Sequence, residues 1–362
     1  AVAAWRSDGN DYPTQSQRGH VRVYRHNGTG WNQLGGDHDI LGDESTSLGY
    51  SVSLSADGSV VAAGANSQNY LRVMRWTGDA WEGMGQNDGR ISGTASGFGA
   101  EVAISDDGHT ILASARYEGE MHPYAYDAAQ NTWSAMHGDA ADMWVNHGWF
   151  GYRIALSGDG KTAVMSKRSG SHMVRVFRWD DALGWQTLQS NLCTAVAGVC
   201  LSGYSYWLSL SRDGNTVAIG DFAAPNPLPS AGQVAVLDYD GVGGWSLRER
   251  FITGDMVIDW PELGERAFVG VMALSADGNT VAVGAAAANS ARGSVHVFAW
   301  DGAAWVHLTA GADHHANRGD VDDDRLGGSV ALSADGLTLA AGAAYHDGQR
   351  GYARVFRAHF HA

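Results

Sequence analysis

The sequence predicts an all-β chain: a seven-bladed β-propeller of four-stranded antiparallel blades, with terminal blades that fall short of four strands. Three observations predict it. A phrase recurs six times, as L-S-A-D-G at 54–58, 274–278 and 332–336, I-S-D-D-G at 104–108, L-S-G-D-G at 156–160 and L-S-R-D-G at 210–214. Its Asp-Gly pairs return every 50 to 64 residues, the sign of one structural unit repeated. No segment shows helical periodicity, and each phrase is followed by a strand of small residues and then by one ending in an aromatic.

Residues 48–85 show the logic of one unit. L-G-Y-S-V-S-L-S alternates apolar and polar residues and reads as a half-buried strand A. Asp57-Gly58 makes the tight turn, since Gly accepts positive φ and Asp bonds its own backbone. Strand B at 59–65 is Val, Ala and Gly, small enough for a neighbouring sheet to approach closely. Strand C at 70–76 is β-branched and aromatic, and the turn at 77–80 delivers Trp81 to strand D. Four such strands are one blade.

Strand B recurs seven times, at 1–5, 59–65, 110–115, 162–166, 216–220, 280–285 and 338–343. The chain therefore reads as one domain over 1–362, with repeats near 1–47, 48–97, 98–149, 150–202, 203–266, 267–325 and 326–362. The first blade lacks strand A and the last ends after strand C near 357, so either two blades are three-stranded or flanking sequence is missing. Trp5 is expected where other blades place Gly64, Gly220, Gly284 or Gly342. Strand D repeats a tryptophan, as Trp31, Trp81, Trp133, Trp185, Trp245 and Trp305. The strand C aromatics read as Tyr24, Trp76, Tyr126, Trp179, Tyr239 and Trp300. Aromatics present in every blade are expected to pack blades together rather than stack on ligands.

Composition narrows the function. A net charge of −15 argues against nucleic acid and against an anionic membrane surface. No apolar run approaches the roughly 18 residues needed to span a bilayer. No signal peptide is evident and the chain starts on Ala1, so a processed or partial chain is expected. Cys193 and Cys200 either pair across a small surface loop, as an oxidising compartment would favour, or remain free thiols.

With these residues in hand, the chain resembles the FG-GAP propeller repeats of integrin α-chains and many secreted or surface proteins. L-G-Y-S-V at 48–52, F-G-A-E-V at 98–102 and L-G-G-S-V at 326–330 match the first half of the repeat. A-A-G-A at 62–65 and 340–343 and A-V-G-A at 282–285 match the second, without its proline. The resemblance implies a propeller on the outside of the cell or at its surface. It departs at the A–B turn, where the family's D-x-D-x-D-G calcium cage is matched by Ser53, Ser55 and Asp57, or by Ala103, Ser105 and Asp107. One carboxylate cannot supply most of the six to eight oxygens that calcium takes, so no calcium is expected there. The hydroxyl and the Asp are expected to bond the turn's own backbone.

The variable B–C and D–A loops are where binding is expected. Acidic loops at 35–44, with Asp37, Asp39, Asp43 and Glu44, and at 312–324, with Asp320, Asp322, Asp323 and Asp324, either hold calcium or are solvated. His314 and His315 are adjacent, poor spacing for joint ligation on a strand. The R-G-D at 318–320 is expected to be a chance match. Trp144, Trp149, Trp207 and Trp260 fall outside the repeat, and Trp144 and Trp149 lie beside Asp142, Asn146 and His147, a set suited to stacking on a sugar or to plugging the axial channel. The proline-rich 221–230 segment suits a docking loop, and Asn27-Gly28-Thr29 is a glycosylation acceptor if a eukaryote secretes the chain.

Function is therefore expected to be non-enzymatic: a propeller binding protein or glycan, or one subunit of a larger surface assembly. No linear catalytic motif is present. The alternative is a glycoside hydrolase or lyase at the axial mouth, using Asp142 and Asp259, with Glu101 and Arg153 facing the channel from A strands. A third reading is a structural repeat unit of an extracellular fibre.

Overall fold

The computed structural model describes all residues except 6–16, 37–38, 139–142, 144–149, 168–173, 197–205, 222–232, 252–270, 288–290, 309–317 and 358–362. Seven antiparallel blade sheets follow one another along the chain, the seven-bladed all-β propeller that the repeat predicts. They fall into two compact units, 1–167 with 175–190, and 168–174 with 191–362.

Strand B is found in all seven blades, as Val2–Ala4, Val60–Ala65, Thr110–Ala115, Thr162–Ser166, Thr216–Asp221, Thr280–Ala285 and Thr338–Ala343. The third to sixth sheets have the order A-B-C-D. Among the described residues the first sheet holds strands B, C and D, and the last, Ser329–Leu332, Thr338–Ala343 and Tyr352–Arg357, holds A, B and C. In the second blade strand D is broken: Trp81–Gly83 and Arg90–Ser92 both pair with Tyr70–Trp76, on either side of a turn at Gln86–Gly89. The first blade repeats this with Trp31–Gln33 and Ile40–Leu41.

The Ser-x-Asp-Gly turn closes on itself. Ser55 Oγ accepts the Val60 N–H at 3.0 Å and donates to Asp57 Oδ1 at 2.8 Å, while Asp57 Oδ1 also accepts the Ser59 N–H at 2.9 Å. The Ser59 N–H, with the Ser55 and Ser59 hydroxyls, holds the Asp57 carboxyl below the usual carboxylate range. The hydroxyl and the single Asp thus serve the backbone, as expected from the degenerate cage. The residue between them points outward in hydrogen bonding: Ala56 N–H donates to Asp106 O at 3.0 Å, and Asp106 N–H to Gly158 O at 2.8 Å. In the second unit Arg212 N–H donates to Ala276 O at 2.9 Å, and Ala276 N–H to Ala334 O at 3.0 Å.

Consecutive blades also share their cores. Because side chains alternate along a strand, Val60 and Ala62 face the third blade while Val61, Ala63 and Ala65 face the first. In the second to sixth blades both faces of strand B are buried, which is why it reads as a run of small and apolar residues rather than as an alternating strand. The polar residues of strand A also face a blade: Ser51 Oγ accepts the Val102 N–H at 3.0 Å, and Ser209 Oγ the Leu274 N–H at 2.9 Å.

Two positional expectations are corrected. Strand register places Ala3, paired with Val21, where the second blade has Gly64, paired with Leu71; Trp5 lies two residues further on. The strand C residue opposite Trp31 is His26, whereas Tyr24 pairs with Gln33. Both errors came from matching residue type, and counting from the first residue of strand C, His20 or Tyr70, resolves them. The remaining aromatics pair as read, Trp76 with Trp81 and Tyr239 with Trp245 among them. Trp81 and Trp133 also donate their indole N–H groups to Leu34 O and Met84 O of the preceding blade. Trp31, by contrast, is 52% exposed. No helix among the described residues is long and apolar enough to cross a membrane.

The two halves of the repeat meet across the blade interface. A Cβ added to Gly64 would lie 2.0 Å from Gly99 O, and one added to Gly284 would lie 2.1 Å from Gly327 O. Gly64→Ala should therefore cost about 2 kcal/mol or more in urea unfolding, as overpacking against backbone that cannot swing away. Gly30→Ala, where an added Cβ meets nothing within 4 Å, should be close to neutral. Equal unfolding midpoints for the two variants would refute this packing.

Candidate functional site

The first strands of successive blades lie side by side, so residues at their starts converge. In the first unit this gathers Tyr50, Glu101, Tyr152 and Arg153 from three A strands or their approaches, together with Arg116, which follows strand B of the third blade. Trp5 occupies the corresponding position after strand B of the first blade. Its ring meets Tyr50 edge-on at 5.4 Å.

Glu101 is the hub. Its Oε1 accepts from Arg153 Nη1 and lies 3.6 Å from Arg116 Nη2. Burial pushes its carboxyl up, and the Arg153 and Arg116 charges oppose that push. Arg116 Nη1 donates to Tyr50 OH at 2.9 Å, and its guanidinium lies 5.3 Å from the Tyr50 ring centre and 5.0 Å from that of Tyr152. Arg153 also lies 5.0 Å from the Tyr152 ring. Two guanidiniums thus converge on one buried carboxyl group. Tyr117, next along from Arg116, is 56% exposed.

Glu101 and Arg153, read from sequence as channel-facing residues, are brought together as an ion pair. Sequence reading missed Trp5, Tyr50, Arg116 and Tyr152. The available signal was variation at one repeat position: the residue after strand B is Trp5, Asn66, Arg116, Lys167, Ala286 or Ala344 in six of the blades.

The other candidates are placed as follows. Asp142, Trp144, Asn146, His147, Trp149, Asp259, Trp260 and Asp37 lie outside the described residues, as do His314, His315 and nearly all of the 221–230 loop. Trp207 is half-buried and packs on the core formed by the fifth and sixth blades. Cys193 is disulfide-bonded, and the chain's other cysteine, Cys200, lies outside the described residues. Asn27 is exposed at the tip of a C–D turn, its Oδ1 accepting from the Thr29 N–H, the Thr29 hydroxyl and the Gly30 N–H.

The acidic residues of the two loops engage cations of the protein. Both oxygens of Asp39 accept from Arg22, and Asp43 pairs with Arg90. Asp320 pairs with Arg354 and Asp322 with Arg292. Asp324 is fully buried, accepting the Asp320 and Val321 N–H groups and meeting His346 Nδ1 at 2.8 Å. Asp323 sits at a turn with φ of 66°. Among the described residues no three His, Cys, Asp or Glu side chains group as a metal site. The R-G-D at 318–320 is tied into this network, since Arg318 bridges Ser294 and Arg354 binds both Arg318 O and Asp320.

In the sixth blade His296 Nδ1 lies 3.3 Å from His307 Nε2, with Ser294 Oγ at 3.0 Å from the other His296 nitrogen. Burial, then His307 and Arg318, lowers His296 to about 3.

No family model matches the chain, and no curated protein matches it. Solved structures do. The β-propeller domain of Cps50 (Swd1) from Myceliophthora thermophila matches with a TM-score of 0.59 at 11% identity, over 94% of this chain and 91% of that one. A functionally unknown protein from Desulfotomaculum acetoxidans gives 0.57 at 14%, over 93% and 89%. A 6-phosphogluconolactonase candidate from Bacteroides uniformis gives 0.55 at 16%, over 91% and 89%. At these identities the likeness establishes the propeller fold alone.

Two predictions follow from these environments. Glu101→Ala leaves Arg153 and Arg116 facing each other without their shared anion, and should cost about 3 kcal/mol in urea unfolding, with Glu101→Gln costing less. A variant as stable as the parent would show that the cluster carries no structural charge balance. His296 is neutral in the native state but takes a proton in the unfolded chain below about 6.5, so its contribution falls as pH drops from there toward about 3. The slope should approach roughly 1.4 kcal/mol per pH unit, and His296→Asn should flatten it. A stability–pH curve unchanged by that substitution would contradict a neutral buried His296.

Proposed function

We propose that this protein is a non-enzymatic binding propeller of the FG-GAP type, working outside the cell or at its surface. Its Trp5–Tyr50–Arg116–Tyr152–Arg153 cluster grips an acidic side chain of a protein partner. The observation that carries this reading is the gathering of Arg116 and Arg153 with the Trp5, Tyr50 and Tyr152 rings around Glu101, which both guanidiniums engage. Tyr, Trp and Arg are the residues that most often dominate protein interfaces, because each brings large, pre-ordered contact area. Arginines at an interface also pair with acidic side chains of a partner, which fixes register and specificity. The disulfide at Cys193 supports an oxidising compartment.

The test is a photo-crosslinking residue in place of Tyr117, with Val242, which is 92% exposed, as the contrast position. On intact cells of the source organism, Tyr117 should give one defined protein adduct and Val242 none. Arg116→Ala should weaken binding of that purified partner by about 2 kcal/mol, roughly 30-fold. Identical adducts at both positions, or turnover of glycoside or lactone substrates that depends on Glu101, would overturn the reading.

A further inference from the structure

The turn joining strands C and D of the first blade carries chemistry that the turn itself does not need. In the third to sixth blades this turn begins on an aspartate, at Asp127, Asp180, Asp240 and Asp301. Each of these carboxylates accepts, at Oδ1, the N–H groups two and three residues further along. An asparagine oxygen folds the backbone in the same way. The first blade has Asn27 at this position, and its Oδ1 accepts the Thr29 N–H at 3.0 Å and the Gly30 N–H at 2.9 Å. The Asn27 N–H closes the turn on Gly30 O at 3.0 Å, as the Asp301 N–H does on Ala304 O at 3.1 Å.

Four aspartates do this backbone work without an amide nitrogen, so the Nδ2 of Asn27 is not required for it. The Thr29 hydroxyl is not required either, since the matching residue is Ala129, Ala182, Val242 or Ala303 in those blades. What the first blade adds is a third bond: the Thr29 hydroxyl donates to Asn27 Oδ1 at 2.9 Å. Three donors converge on this one atom, which identifies it as the oxygen of the amide. Nδ2 donates to none of the described residues, and Asn27, Gly28 and Thr29 are all exposed. Hydrogen bonds on the carbonyl oxygen favour the charge that gathers there as Nδ2 loses a proton, the loss an amide nitrogen must undergo to act as a nucleophile.

Asn27-Gly28-Thr29 is also the one Asn-x-Ser/Thr triplet in the chain. We infer that Asn27 is the attachment site of an N-linked glycan, donated by a lipid-pyrophosphate-linked oligosaccharide on the route out of the cell. Nδ2 gives one proton to a base of the transferase and bonds to C1 of the first sugar. The bond from that carbon to the phosphate oxygen breaks, and the lipid pyrophosphate leaves. The inference rests on the extracellular placement proposed above. It is compatible with the binding cluster: Ala4, beside Trp5, pairs with His20 at one end of the first blade, and the His26–Trp31 pair carries the Asn27 turn at the other. A glycan on Asn27 therefore leaves the aromatic and arginine side chains uncovered.

Peptide mass spectrometry on the protein purified from its source organism tests this. The peptide containing Asn27 should carry a mass made of hexose and N-acetylhexosamine units, and an amidase specific for N-glycans should remove it. Thr29→Ala should abolish the modification. Asn27→Asp should abolish it too, with the same urea midpoint as the parent chain expressed without glycosylation, because aspartate makes this turn in four other blades. Bare Asn27 in all of the protein, a glycan that survives Thr29→Ala, or a midpoint lowered by Asn27→Asp would overturn the inference. Bare Asn27 on protein recovered outside the cell would do so and leave the extracellular reading standing. Protein found only inside the cell, with Asn27 bare, would overturn both.

Discussion

The backbone bond leaving the second residue of four of the six Ser-x-Asp-Gly turns is the constraint on which the rest depends. Ala56, Asp106, Arg212 and Ala276 each send their N–H to the carbonyl of the equivalent residue one blade on. That bond can form only if the turn is rigid, and the turn is rigid because a serine hydroxyl and an aspartate oxygen hold its amides. The variable residue is free to vary because its backbone, not its side chain, makes the connection. The phrase therefore repeats as a frame around a changing centre, and this accounts for Ala, Asp, Gly and Arg at one position.

Once adjacent blades are held at this spacing, their facing surfaces must fill it. Strand B is buried on both faces, so Val, Ala and Gly are selected there, and Gly64 meets Gly99 with no room for a side chain. Gly99 adopts positive φ at the start of strand A, directly after the fully buried Phe98, and Gly49 and Gly327 do the same after Leu48 and Leu326. The two halves of the repeat are thus a single contact shared by neighbouring blades. With those positions occupied by packing, chemical variety is confined to strand ends and outer strands. The Glu101 cluster sits at the strand ends.

Much of the fold was legible because repetition multiplies each signal: all seven B strands and the self-bonded turns were readable. Trp5 and Tyr24 were misplaced because residue type was followed where strand position decides. The split D strands were hidden because two short pairings replace one long one without changing composition. The candidate site was less legible, since Tyr50, Glu101, Arg116 and Arg153 lie up to 103 residues apart, from 50 to 153, and only blade stacking unites them. Charge pairing was also unreadable: Asp320 and Asp39 look like ligands in sequence, and it is the distant Arg354 and nearby Arg22 that engage them.

Amide hydrogen exchange resolved at Ala56, Asp106, Arg212 and Ala276 tests the central claim most directly. These amides lie in short turns, where unbonded groups exchange quickly, and inter-blade bonding predicts protection comparable to that of the B strands. Exchange at those four positions as fast as in the exposed C–D turns would contradict it, and blade cohesion would then rest on side-chain packing and side-chain hydrogen bonds.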